Sequence, residues 1–271
     1  MSYSLTYTEQ PPPRDLTPWV ACFWQIAGAS AGESVLHRVL PDGCVDFLLD
    51  LERYRHAGRA STALVGPMST AQVFKLQGPV DLIGVRLRPG AMGSFGGILA
   101  SRLLDTTCPA SELPAAPRVN LAQLAEAGSL TARARVLVDG CRSGFATLPK
   151  PDPLVHHALA AWVNPERMPF PRVGVLTRDL GLSERAFERR FLAHVGLTPV
   201  GYRRLARFRA ALRLHAAGMQ DWALLAASTG FSDQPHLVRD FRELAGQSPT
   251  EWAASQVSPA GFLQDGQVTT L

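Results

Sequence analysis

The sequence predicts an α+β protein: a mostly-β, barrel-like N-terminal domain carrying a helical hairpin, then an all-α domain of two helix-turn-helix units. Three observations predict it. Short apolar segments separated by turn residues fill the first ninety or so positions. Three alternating prolines in Leu148-Pro-Lys-Pro-Asp-Pro153 then break the chain, and the periodicity beyond them is helical. Within that helical part the sequence repeats itself at an offset of fifty residues.

The length of 271 residues suits two ordinary domains with their own cores. With 46% hydrophobic and 18% charged residues, the composition excludes a collagen, a coiled-coil rod and a largely disordered chain. No apolar run approaches the roughly 20 residues of a membrane helix. Met1–Gln10 lacks the basic residues and apolar run of a secretory signal, so a cytoplasmic protein with no membrane partner is expected. The four cysteines (Cys22, Cys44, Cys108, Cys141) form no C-x-x-C pair, which argues against a zinc site and, for a cytosolic chain, against disulfides.

The expected strands lie around Trp19–Ile26, Val35–Leu40, Cys44–Leu51, Ala63–Val65, Val73–Leu76 and Leu82–Leu87. Pro41-Asp-Gly43, Gly66-Pro67, Gly78-Pro79 and Pro89-Gly90 punctuate them. Alternation in Val85-Arg-Leu-Arg88 puts both arginines on one face. Residues 91–148 turn alanine- and leucine-rich, with helical stretches from Leu121 and Thr131 separated by Gly128 and Ser129. They predict a hairpin packed on the barrel or against a second subunit, with self-association through residues 111–145. The expected organisation is a sensing or dimerisation domain over 1–148 (β-rich to about 90, helical over 91–148), a linker over 149–153, a helical domain over 154–253 and a loose tail over 254–271.

The repeat aligns Phe187 with Leu237, Arg189 with Arg239, Phe191 with Phe241, Gly196 with Gly246, Thr198 with Ser248, Pro199 with Pro249 and Tyr202 with Trp252. In the first copy, Val173, Leu176 and Leu180 make one apolar stripe, Gly181 turns the chain, Ser183 caps, and Phe187, Phe191 and Val195 face inward. In the second, Leu224 and Ala227 face inward, Gly230 turns, Asp233 caps, Pro235 is tolerated in the first turn, and Leu237 and Phe241 face inward. Each copy is helix, tight turn, helix, the geometry that places a second helix in a DNA major groove. Arg185, Glu188 and Arg189, and correspondingly Gln234, His236 and Arg239, fall outside the buried stripes. Arg reads guanine, Gln reads adenine and an acid accepts from cytosine.

Charge agrees. Between Arg167 and His215 eleven arginines meet three acids, an excess of eight, against a net charge of +4 for the whole chain. From Ala216 to Trp252 two arginines meet five acids, so the first copy carries most of the expected phosphate affinity. Thr198 and Ser248 each precede a proline and open a helix whose N-terminus suits a phosphate. Arg190, Arg203, Arg204 and Arg207 complete the expected phosphate-contacting set.

Leu180-Gly-Leu-Ser-Glu-Arg-Ala-Phe-Glu-Arg-Arg-Phe with Gly196-Leu-Thr-Pro, and Gly230-Phe-Ser-Asp-Gln-Pro-His-Leu-Val-Arg-Asp-Phe with Gly246-Gln-Ser-Pro, resemble the DNA-binding domain of AraC/XylS transcription regulators over about residues 152–253. The resemblance implies two units joined by one long helix and reading adjacent major-groove segments. It places base reading on the six residues named above and a backbone contact on Arg207. Pro235 departs from the small polar residue usual there. Pro11-Pro-Pro, Trp19-Val-Ala-Cys-Phe-Trp, Val39-Leu-Pro-Asp-Gly-Cys-Val-Asp-Phe and Gly84-Val-Arg-Leu-Arg-Pro-Gly-Ala resemble an uncharacterised partner domain of such regulators, which brings no ligand with it.

The expected partners are therefore double-stranded promoter DNA, an unidentified small-molecule effector, RNA polymerase and a second copy of the chain. No cofactor and no catalysis are expected. Effector contacts are assigned to Trp24, Cys44, Asp46, Arg86 and Arg88. Trp19, Phe23 and Trp24 line a pocket or form core. Arg86 and Arg88 bind an anionic effector or lie on the solvent face. His37, Cys44 and Asp46 have metal-ligand chemistry without metal-ligand spacing, so packing roles are favoured. Cys44 is either a buried thiol or a redox group activated by Arg38 or Arg86. The alternative function joins the regulator to a cysteine-based alkyl-acceptor or enzymatic module with Cys44 as nucleophile.

Overall fold

The computed structural model describes residues 4–29, 34–58, 61–96, 98–256 and 269–270. Strands β1 (Ser4–Gln10), β2 (Val20–Ala29), β4 (Val45–Asp50), β5 (Ser61–Val65), β7 (Pro79–Leu87), β8 (Thr107–Pro109) and β9 (Thr269–Thr270) form one antiparallel sheet in the order β8-β5-β4-β7-β2-β1-β9. β3 (Val35–Val39) and β6 (Gln72–Leu76) pair separately as a two-stranded ribbon. The expected barrel is not closed. Its outer strands are three and two residues long, too short to form a closing ladder.

The sheet is buried on both faces. Phe23, Phe47, Leu49, Ile83, Val85 and Leu87 point to one side. There they pack with α2 (Leu121–Glu126) and α3 (Leu130–Phe145), capped by Asn120 and Ser129. The apolar face of α3, including Ala134, Leu137, Cys141 and Phe145, lies in this core. Self-association through 111–145 therefore does not have that face to use. Tyr7, Trp24 and Ile26 point to the other side, with Leu48 and Leu82 packed against them, and the ribbon covers them.

Three expectations in this half are corrected. Strand β1 lies outside the expected strands, although Leu5 and Tyr7 alternate with polar neighbours and are buried. The chain after β4 becomes helix α1 (Leu51–Ala57), capped by Asp50 and ended by Gly58 in the left-handed region. The described residues between 91 and 112 hold no α-helix: three short 3-10 turns and β8 lie there.

Helices α4 (Pro153–Val163), α5 (Val173–Asp179), α6 (Glu184–Val195), α7 (Pro199–Ala216), α8 (Trp222–Thr229), α9 (Gln234–Ala245) and α10 (Pro249–Gln256) share one core. Pro153, expected in the linker, opens α4, where Asp152 accepts from the N–H groups of Leu154 and Val155. The offset of fifty is structural. α6 and α9 begin at 184 and 234, are capped by Ser183 and Asp233, and end on Gly196 and Gly246 with φ of 85° and 70°. Phe187, Phe191 and Val195 in one, and Leu237 and Phe241 in the other, are buried as their periodicity requires. In α8 the inward face is Leu225, Ala226 and Thr229, while Leu224 is 51% exposed and Ala227 is exposed. That helix is apolar nearly all round, so its pattern does not select a face. Of the tail, Thr269–Thr270 pair with β1, and 257–268 lie outside the described residues.

The two cores interlock. Leu40, at the end of β3, belongs to the helical core. The Tyr202 ring of α7 lies against Gly43, where a Cβ would fall 2.7 Å from it.

Candidate nucleic-acid interface and ligand cavity

The second helix of each repeat presents the expected reading residues outward. Arg185, Glu188 and Arg189 on α6, and Gln234 and Arg239 on α9, are exposed. His236 is not fully presented. Its Nδ1 lies 2.9 Å from Ser232 Oγ, its ring meets Phe231 edge-on, and its Nε2 is 3.8 Å from Asp240. It serves the turn of its own unit.

The arginines of the expected phosphate set also have partners within the protein. Arg203 donates to the carbonyls of Phe170 and Pro171 at 2.9 Å each. Arg204 pairs with Asp240 at 2.8 Å and with Glu243. Arg207 donates to the Gly230 carbonyl at 3.2 Å, pairs with Asp240 at 3.5 Å and lies over the Phe231 ring at 4.7 Å. Arg190 pairs with Asp152 at 2.6 Å. Burial opposes ionisation of Asp152, but Arg190 and the α4 N–H groups hold its carboxyl below the ordinary range. Thr198 accepts from Gly201 N–H at 3.0 Å, the expected cap. Ser248 opens a capping box in which Glu251 accepts from its N–H at 2.7 Å. A carboxylate thus already occupies the α10 N-terminus, where a second anion is repelled.

Helices α6 and α9 both end against the N-terminal half. A Cβ on Gly196 would lie 2.7 Å from the Ala100 carbonyl, and one on Gly246 would lie 3.0 Å from Arg38 Nη1. At α9 the contact is direct hydrogen bonding. Ala71 N–H donates to the Leu244 carbonyl at 2.7 Å, and Arg38 Nη1 to the Ala245 carbonyl at 2.8 Å. A cation on these last carbonyls also complements the helix dipole. Arg38 belongs to β3, and Ala71 immediately precedes β6.

Beneath that ribbon lies an apolar cavity of about 130 Å³. Trp24, Asp46 and Arg86, three of the five expected effector residues, line it, together with Tyr7, His37 and Phe74, which sequence reading did not assign to it. Arg86 is only 6% exposed. Its Nε is 3.2 Å from Asp46 and 3.4 Å from Asp42, and its Nη1 is 3.6 Å from Glu9. The solvent-face alternative for Arg86 is therefore wrong. Asp46 also accepts from Trp24 Nε1 at 2.6 Å. Burial pushes the Asp46 carboxyl up, Arg86 opposes and Asp42 adds, leaving it at about 6. Burial lowers His37 to about 4, so its ring is neutral near pH 7. Gly84 makes room for the Trp24 indole, since a Cβ there would sit 2.4 Å from the ring.

Arg88 and Cys44 do not line this cavity. Arg88 lies past the end of β7, is exposed and donates to the Thr17 carbonyl at 2.8 Å. Cys44 borders a second, mixed cavity against Tyr202, with Arg88 and the far side of Arg86. Burial raises its thiol well above the ordinary range, Asp42 adds, and Arg86 offsets this only in part. A thiol raised in this way is protonated near pH 7, which argues against an activated redox cysteine or an alkyl-accepting nucleophile here. Phe23 belongs to the opposite core, and Trp19 packs on Phe145 and donates to the Pro149 carbonyl. Among the described residues no cluster of His, Cys, Asp and Glu is arranged to hold a metal ion, and no helix is long and apolar enough to cross a membrane.

The architecture is thus a β-rich domain joined to a pair of helix-turn-helix units. A helix-turn-helix domain family matches residues 176–255, and a domain of unknown function, DUF6597, matches residues 8–109. The chain thus carries a helix-turn-helix domain of the AraC type behind that N-terminal domain. Solved structures similar to it include apo ToxT from Vibrio cholerae, at 13% identity over 90% of this chain and 98% of that one, with a TM-score of 0.42. Wild-type ToxT of the same organism with an unsaturated fatty acid bound is 11% identical over 93% and 95%, with a TM-score of 0.40. No curated protein matches the chain.

Proposed function

We propose that the protein is a sequence-specific transcription regulator in which α6 and α9 enter adjacent major-groove segments of promoter DNA and a small effector bound under the β3–β6 ribbon controls their placement. The observation that carries the effector half is shared use of the ribbon. The same two strands roof the cavity and, through Arg38 and Ala71, hold the C-terminal carbonyls of α9. A ligand that lifts or seats the ribbon shifts the population of α9 orientations relative to α6.

On this reading Arg185, Glu188 and Arg189 read one segment and Gln234 and Arg239 the next. The working division is a sensing domain over 1–148 and a DNA-binding domain over about 153–253. RNA polymerase and a second copy of the chain are further proposed partners.

Selection of random duplex DNA by the full-length protein at physiological salt tests the reading. A motif of two blocks about one helical turn, roughly 10 bp, apart is expected. One block alone would remove α9 from base reading, and no enriched motif would remove sequence-specific recognition altogether.

A further inference from the structure

The charge around the cavity selects among ligands. Arg86 is the guanidinium in its wall, and three carboxylates surround it: Asp46 within the cavity, and Asp42 and Glu9 behind it. Its Nε is engaged by Asp46, and its Nη1 donates to the Tyr7 hydroxyl at 3.4 Å. Asp42 and Glu9 line the second cavity, where Arg88, Arg209 and Arg213 also stand, so within the apolar cavity Asp46 and Arg86 pair one to one. A carboxylate ligand would have to displace Asp46 from a guanidinium that is already paired. An ammonium can add to Asp46 without breaking that pair.

The remaining walls fit the same chemistry. Tyr7 and Trp24, with ring centroids 6.4 Å apart, and Phe74 place three aromatic rings around the space. Aromatic faces attract organic cations. The other lining side chains are mostly aliphatic, among them Ile26, Leu48 and Met68, and accept an apolar body. A volume near 130 Å³ approaches the roughly 150 Å³ at which an apolar cavity admits benzene. Phe74, 41% exposed, lies where the cavity meets solvent.

We infer that the cavity takes a small organic amine with an apolar body of about one ring's size, its ammonium held by Asp46 among the Tyr7, Trp24 and Phe74 rings, and that anionic ligands are excluded. The inference deepens the effector reading and rests on it.

Calorimetric titration of the full-length protein at pH 7.5 with benzylamine, benzyl alcohol and benzoate is the test. Benzylamine is expected to bind at least about tenfold more tightly than benzyl alcohol, with benzoate weakest. Benzoate binding as tightly as benzylamine, or no benzylamine binding at millimolar concentration, overturns the inference. Asp46→Asn is expected to reduce benzylamine to the level of benzyl alcohol; an undiminished amine preference overturns the assignment to Asp46. Because Asp46 also pairs with Arg86, Val39→Trp serves as a second variant that fills the cavity from the ribbon side. It is expected to melt cooperatively and to lose benzylamine binding, and retained binding overturns the site. Affinity for the selected DNA separates the two readings. Benzylamine binding in the expected order with DNA affinity unchanged upholds the ligand chemistry and refutes effector control. DNA selection with two blocks but no benzylamine binding refutes the ligand chemistry and leaves the DNA reading intact.

Discussion

Arg207→Ala separates a phosphate ligand from an internal cross-link. The resemblance to AraC/XylS regulators implies a backbone contact here, yet the side chain is only 11% exposed and spans from α7 to the turn of the second unit. It holds the Gly230 carbonyl at 3.2 Å, Asp240 at 3.5 Å and the Phe231 ring at 4.7 Å. A hydrogen bond from a charged donor contributes about 1.5–3 kcal/mol. The cation–π contact adds about 0.5–1 kcal/mol. Two features reduce the sum. Asp240 keeps Arg204 at 2.8 Å, so no buried charge is left alone, and Arg207 Nε is buried without a partner among the described residues. A net loss of about 2 kcal/mol follows. With a urea slope of about 2 kcal/mol per M, the midpoint of the helical domain falls by about 1 M. DNA binding weakens with it, but the dependence of log K on log salt keeps its slope, because no phosphate contact has been removed. Urea titration followed by Trp fluorescence, with DNA affinity measured at several salt concentrations, reads both quantities. An unchanged urea midpoint together with a salt slope shallower by about 0.9 would refute the reasoning and return Arg207 to the phosphate backbone.

Arg189→Ala and Arg239→Ala are each expected to weaken selected-DNA binding by about 1–3 kcal/mol and to relax preference at one block only, the two blocks lying about a turn apart; equal loss on all sequences would make them phosphate contacts. Gly84→Val drives a side chain into the Trp24 indole, so a loss of about 1–3 kcal/mol with altered Trp24 emission is expected, and an unshifted melting curve would mean that the indole is not held there. Asp152 has a lowered folded pKa, so its contribution is complete above its unfolded value of about 3.9 and is lost as pH falls through the lower folded value. Asp152→Asn should remove that part of the acid dependence, and an acid transition identical to wild type would deny the Arg190 pairing its role. Cys44 should resist iodoacetamide at pH 8 until the protein is unfolded; rapid native labelling would contradict its buried, protonated thiol.

Local signals made much of the helical half legible. Ser183 and Asp233 cap, Gly196 and Gly246 terminate, and apolar spacing of about 3.6 marks the inner faces of α6 and α9. All of these act within a few residues, so a linear reading finds them, and the repeat at fifty verifies each copy against the other. The alternation of β2 and β7 was equally local, as was the outward placement of Arg185, Arg189 and Arg239. Where local pattern is degenerate, reading failed. The all-apolar α8 did not reveal that Leu225 rather than Leu224 faces inward, and seven residues after β4 read as strand and loop rather than helix.

The sequence by itself determined the helices of the two copies and the surface on which the proposed base-reading side chains stand, because each depends on neighbours along the chain. Only the tertiary structure decided which arginines pair within the protein, whether the sheet closes, and where a cavity forms. Those outcomes depend on partners remote in sequence. Arg86 meets Asp46 across 40 residues, and Arg38 reaches the end of α9 across 207. A buried charge takes whichever partner the packed chain brings within hydrogen-bonding distance, since leaving it unpaired in a low-dielectric interior costs more than any local preference supplies.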